Sequence, residues 1–163
     1  MKNFIPLFTF LILSIQLQAQ TISASSQTGE ATIQKSTPQV ASIATGEPFA
    51  YKIEFQNLNA ANTLTLTDIL PAGLCYSASD IIADNTFVDF NGNPVSSSIA
   101  GLIDTSSLPA VVFSIPNNIQ RGSFTITVTF CEGVTPDGFT VTNNITADYT
   151  TTTGTEILDL RLV

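Results

Sequence analysis

The sequence predicts an all-β chain: an immunoglobulin-like antiparallel β-sandwich with Greek-key connections and seven to nine strands. Three observations predict it. Thr, Ser, Val, Ile and Phe dominate, and no stretch beyond the first twenty residues holds a 3.6-residue apolar period. The recurring pattern is alternation with period two: Phe124, Ile126, Val128 and Phe130 fall on one face of the run Phe124–Phe130, with threonines on the other. Turn-forming clusters of Gly, Pro, Asn and Asp then cut the chain into short segments at the spacing of a sandwich.

Taken in chain order, Met1-Lys2-Asn3 sets a positive charge before an apolar stretch from Phe4 to Leu17, and Gln18-Ala19-Gln20 supplies a small residue at the expected cleavage point. This reads as a secretory signal peptide over residues 1–20, too short to cross a bilayer, and no later segment is long and apolar enough to do so. Neither cysteine lies near the cleavage point, so the sequence gives no lipid attachment through the first mature residue. Residues 21–30, rich in Ser, Thr, Gln and Gly, read as a leader segment.

The domain is expected over residues 31–149. Its strand candidates are Ala31–Lys35, Phe49–Gln56, Asn62–Leu70, Leu74–Ala78, Thr86–Phe90, Val111–Ile115, Phe124–Phe130 and Phe139–Tyr149. In Phe49–Gln56 the inward set is Phe49, Tyr51, Ile53 and Phe55. Between the candidates stand Gly46-Glu47-Pro48, Pro71-Ala72-Gly73, Asn91-Gly92-Asn93-Pro94, Pro116-Asn117-Asn118, Arg121-Gly122 and Pro136-Asp137-Gly138. A closed barrel is the alternative arrangement of the same strands. Residues 150–163 read as a linker followed by an alternating Leu158–Val163 segment, either the start of a further repeat or an edge strand of this domain.

The chain carries 13 acidic residues against five Lys and Arg and no histidine, a formal charge of −8 that becomes one unit more negative once Lys2 leaves with the signal. Phosphate backbones are bound by clustered cations, so nucleic acid is excluded as a partner class. An acidic surface suits an exported, soluble chain.

Gly46-Glu-Pro-Phe-Ala-Tyr-Lys-Ile-Glu-Phe-Gln-Asn57 is followed by Leu64-Thr-Leu-Thr-Asp-Ile-Leu-Pro-Ala-Gly-Leu74, then by Arg121-Gly122-Ser-Phe-Thr-Ile-Thr-Val and Val141-Thr-Asn-Asn-Ile-Thr-Ala147. In that order these elements resemble the bacterial conserved surface-repeat family, an immunoglobulin-like domain of unknown function. The resemblance spans roughly residues 33–149, and Asp-x-Leu-Pro-x-Gly-Leu is its most specific element. It implies a repeat unit of cell-surface proteins, stalks and adhesins, with a spacer or adhesive role. The two cysteines and the long insert between Asp80 and Leu108 depart from the family pattern.

Strand parity turns three polar residues toward the core: Lys35 with Ile33, Asp68 with Leu64 and Leu66, and Asn143 with Val141 and Ile145. Buried polar groups need partners, which suggests that these three meet. A lysine amine kept neutral by burial can attack an asparagine carboxamide polarised by a protonated carboxylic acid, forming an intramolecular isopeptide with loss of ammonia. Pilin and adhesin domains carry such bonds, with lysine on the first strand and asparagine on the last. The alternative is that Asp68 caps the Leu-Pro turn, Asn143 bonds the backbone and Lys35 reaches out to water.

Cys75 and Cys131 lie in an exported chain and on outward positions, where they are expected either to clip neighbouring strands as a disulfide or to remain as thiols or pair with another chain. Two cysteines without histidine make a poor metal set. Asp84, Asp89, Asn91 and Asn93 form an oxygen-rich region, yet the spacing is not that of an EF-hand and Asn91-Gly92 reads more simply as a tight hairpin turn. Asn144-Ile145-Thr146 matches a glycosylation acceptor of little weight in a bacterial strand. No histidine base, Gly-x-Ser-x-Gly element or phosphate loop is present, so an enzyme is not expected and no cofactor is implied.

These readings converge on a non-catalytic structural or spacer module of a secreted or cell-surface protein, with further repeats of the same polypeptide as its neighbours. The alternative is a secreted module that recognises glycan or protein through loops 80–108. An exposed Phe87 or Phe90 would favour that alternative.

Overall fold

The structure is a computed structural model that describes residues 20–27, 30–39, 46–133, 143–151 and 154–162. All but the last residue of the expected signal peptide lies outside the described residues, as does the first part of the strand expected from Phe139. Two antiparallel sheets face each other, as a sandwich requires, and no barrel closes.

The first sheet runs β1 (Gln20–Gln27), β2 (Ala31–Gln39), β3 (Phe49–Asn57), β10 (Ile119–Phe130) and β5 (Leu74–Cys75), with β6 (Ile81–Ala83) and β7 (Val88–Asp89) pairing farther along the same edge of β10. The second runs β12 (Gly154–Leu162), β11 (Asn143–Thr151), β4 (Leu64–Ile69), β9 (Ala110–Ile115) and β8 (Leu102–Asp104). Eight of these strands have six residues or more, within the expected seven to nine. The remaining four are segments of two or three residues that the insert and the Leu74 turn lay along the long strands. The chain changes sheet after β3, β4, β7, β9 and β10, which is how Greek-key connections close a core.

Alternation produces the packing. In β3 the residues Phe49, Tyr51, Ile53, Phe55 and Asn57 are buried, and the residues between them are not. In β10 the buried run Phe124, Ile126, Val128 faces Phe113 of β9, whose ring lies 4.2 Å from that of Phe124 across the two sheets. Phe55 and Phe87 complete the aromatic cluster, at 5.9 and 5.4 Å from Phe124. Gly122 sits under Phe87: a Cβ there would come within 2.6 Å of the ring. No other residue type fits without moving a core side chain.

The Leu70-Pro71-Ala72-Gly73-Leu74 element carries the chain from the second sheet to the first. Gly73 adopts φ 91°, a left-handed conformation that favours glycine, and its carbonyl accepts the Cys131 amide at 3.0 Å. Leu70 and Leu74 on either side of the turn are buried.

Several expectations change. Of the expected leader 21–30, residues 21–27 belong to β1, in full register with β2 from Gln20↔Gln39 to Gln27↔Thr32. The alternating C-terminal segment pairs with β11 from Asn143↔Leu162 to Thr151↔Gly154, and so is an edge strand of this sandwich. Strands expected over Leu74–Ala78 and Thr86–Phe90 shrink to two residues each, because a 3-10 turn at Ala78–Asp80 and the hairpin at Asp89 interrupt them. Conversely β10 begins at Ile119, five residues before the expected run, since β7 pairs with that stretch.

Candidate covalent site between the sheets

Lys35 stands on β2 opposite Ile53, and Asp68 stands on β4 between Val111 of β9 and Ile145 of β11. The two come from opposite sheets and meet in the core. The Lys35 Nζ donates to both carboxylate oxygens of Asp68, at 2.7 and 2.6 Å, and neither side chain has any exposed surface. The ring of Tyr51 on β3 lies beneath the amine, with its centroid 4.8 Å away. Sequence parity had put Tyr51 inward only as a core residue. Its position beside the lysine follows from β3 being the neighbour of β2.

Burial acts on the pair from both ends. Desolvation lowers the Lys35 pKa, opposed by the charge and hydrogen bond of Asp68, while desolvation raises that of Asp68, opposed by Lys35. Both shifts run toward a neutral amine beside a neutral carboxylic acid. Tyr51 is pushed up to about 12, first by its own desolvation and then by the Asp68 charge.

Asn143 opens β11. Two residues along, Ile145 is the direct partner of Asp68, so Asn143 lies diagonal to the carboxylate on the same inward face. Cα atoms of β2 and β11 come within 8 Å of each other. Asn143 is 1% exposed, yet among the described residues neither its Nδ2 nor its Oδ1 has a hydrogen-bond partner. The other buried asparagines differ: Asn57 donates to the Asn62 carbonyl at 2.8 Å, and Asn62 donates to Glu30 at 3.0 Å.

Cys75 on β5 and Cys131, just beyond the end of β10, are joined by a disulfide with Cα atoms 5.2 Å apart. It ties the short β5 to β10, where Leu74 pairs with Phe130 and Cys75 with Thr129.

The oxygen-rich region separates into two unrelated arrangements. Asp84 accepts from Ser123 at 2.6 Å and Thr125 at 2.9 Å on β10, whereas Asp89 accepts from the amides of Asn91 and Asn93 at 2.8 Å each. The Asp84 contacts were not read from the sequence, although the Ser123 and Thr125 hydroxyls, both off the apolar face of β10, were there to be noticed. Gly92 donates back to the Asp89 carbonyl at 3.1 Å, forming the tight turn the sequence predicted. Phe87 is buried and cannot serve as an exposed aromatic, while Phe90 is half-buried. Among the described residues no helix is long and apolar enough to cross a membrane.

The fold is similar to that of bacterial pilin subunits. The major pilin subunit BcpA of Bacillus cereus superposes with a TM-score of 0.58 at 15% identity, over 74% of this chain and 35% of that one. The full-length major pilin SpaD of Corynebacterium diphtheriae gives 0.49 at 11% identity over 87% of this chain and 33% of its own. The pilus backbone RrgB of Streptococcus pneumoniae gives 0.45 at 11% identity, over 81% and 52%. The chain spans about a third of the length of BcpA and SpaD. No family model matches the sequence, and no curated protein matches it.

Proposed function

We propose that this chain is a structural or spacer module of an exported bacterial cell-surface or adhesin-like protein, closed covalently by an isopeptide between Lys35 and Asn143. The observation that carries the reading is the buried, unpartnered Asn143 carboxamide on the strand next to a fully buried Lys35–Asp68 pair. An unpaired buried amide costs roughly 2–7 kcal/mol, and a buried ion pair recovers its desolvation only when its other hydrogen-bonding capacity is met. One condensation removes both penalties.

In that step Lys35 passes a proton to Asp68, and the neutral Nζ attacks Cγ of Asn143 while the Asp68 acid donates to Oδ1. In the tetrahedral intermediate one Nζ proton passes to Nδ2, the Oδ1 proton returns to Asp68 as the carbonyl re-forms, and Nδ2 leaves as ammonia, giving a Cγ–Nζ amide and a neutral Asp68. The lowered lysine and raised aspartate pKa values favour the proton distribution this needs.

The likeness to BcpA supports the sandwich, and the Asp68-Ile-Leu-Pro-Ala-Gly-Leu74 element supports the surface-repeat relationship. Export rests on the N-terminal signal. Neighbouring repeats of the same polypeptide are the expected partners.

Intact mass of the oxidised, processed protein tests the bond: a deficit of about 17 Da is expected, absent in Asn143→Ala and Asp68→Ala. A full-mass wild-type protein would sink the isopeptide.

A further inference from the structure

At one end of the sandwich three connections converge on an open cleft of about 330 Å³, lined by Ala60, Asp89, Phe90, Asn91, Asn117 and Asn118. The volume lies at the small end of the range for small-molecule sites, roughly 300–1,000 Å³. Its chemistry is specific. Phe90 makes no ring contact with the core aromatics and stays half-buried, presenting apolar surface to the cleft. Asn117 and Asn118 are exposed, and their carboxamides make no hydrogen bond to the described protein.

The frame behind these groups is fixed. Asp89 Oδ1 accepts from the Asn91 and Asn93 amides, Oδ2 accepts from Asn93 Nδ2 at 3.1 Å, and the Asp89 amide donates to the Asn93 carbonyl at 3.0 Å. Asn117 and Asn118 sit in a turn closed by the Ile119 amide on the Pro116 carbonyl at 3.1 Å. With the backbone already held, a ligand has only the side-chain rotamers of these residues left to order.

We propose that this cleft is a binding site for neutral glycans, with Phe90 as the platform for a sugar ring and Asn91, Asn117 and Asn118 as the groups that read its hydroxyls. Carboxamides donate and accept at once, as hydroxyls do, and an aromatic face suits the C–H side of a pyranose. The lining holds no lysine or arginine, and the chain carries a charge of −8, so phosphorylated, sulfated or sialylated ligands are disfavoured. The cleft uses none of the residues between the sheets, so this binding stands or falls apart from the isopeptide.

The test is ligand-observed NMR on the processed protein with uncharged trisaccharides of glucose, galactose, mannose and N-acetylglucosamine at millimolar concentration, a sialylated trisaccharide and an unstructured acidic peptide serving as controls. At least one uncharged sugar is expected to bind, with its ring C–H protons closest to the protein. Phe90→Ala and Asn118→Ala should each weaken it by about tenfold or more without lowering the unfolding temperature. If Phe90→Ala compromises folding, Asn117→Ala together with Asn118→Ala on the exposed turn decides alone. Binding of none of the sugars, binding insensitive to these substitutions, or binding of the peptide instead overturns the proposal.

Discussion

Replacing Lys35 with Met together with Asp68 with Leu separates a covalent core from an ionic one by the sign of its effect. Both side chains are wholly buried and face each other across the sheets, so the apolar pair occupies similar space and leaves no charge behind. Exchanging a buried ion pair for packed apolar side chains is commonly neutral or stabilising, by about 1–4 kcal/mol. An isopeptide reverses this expectation, because its loss frees the unfolded chain between residues about a hundred positions apart. With the Cys75–Cys131 disulfide intact inside that loop, the effective loop is about half as long and the lost constraint is worth about 4 kcal/mol by the chain-entropy treatment. Guanidinium unfolding at neutral pH under oxidising conditions reads both quantities. The double variant should unfold at lower denaturant and with a larger m-value, since its unfolded chain is no longer tied between β2 and β11. A midpoint equal to or above that of the wild type would refute the covalent reasoning.

Two further perturbations follow from the packing. Tyr51, 4% exposed, holds its proton to about pH 12 when folded, whereas the unfolded chain releases it near 10. The folded state therefore binds more protons between those values, and stability should fall as pH rises through that window, by up to about 2–3 kcal/mol with Asp68 ionised and by less with it neutral; alkaline unfolding followed by tyrosinate absorbance should show this loss, reduced in Tyr51→Phe. Gly122→Ala would drive a Cβ to 2.6 Å from Phe87 and should destabilise the domain by about 1–3 kcal/mol in the same denaturant assay; an unchanged midpoint would mean that the cluster around Phe87 yields freely.

The parts of the fold that were legible in the sequence are those where burial is one-sided. β3 and β10 alternate because one face meets the core and the other meets water, and the same parity put Lys35, Asp68 and Asn143 inward. β1 was illegible because it is an edge strand built from Ser, Thr and Gln, held by backbone pairing to β2 more than by an apolar stripe. The pieces β5, β6 and β7 were blurred for another reason: their boundaries are set by the length of β10, against which all three lie. Phe87 fell within the strand candidate Thr86–Phe90 but lies just outside β7, and the space left by Gly122 admits its ring to the core. Tyr51 and the diagonal placement of Asn143 depend on which strands are neighbours, information that local periodicity does not contain.

The outermost pairings are both antiparallel hairpins whose free ends, Gln20 and Leu162, lie opposite Gln39 and Asn143. A pull applied at those ends opens each hairpin one hydrogen bond at a time, the easy way to separate two strands. With Lys35 and Asn143 joined, the tension then passes through that single amide, and the chain between them, disulfide included, carries none of it. Only the stretches outside the amide lengthen, about 120 Å in all at roughly 3.5 Å per residue, against some 300 Å for the described span with the disulfide as its sole cross-link. The sandwich would then behave as a tether with two short yielding ends and an inextensible middle.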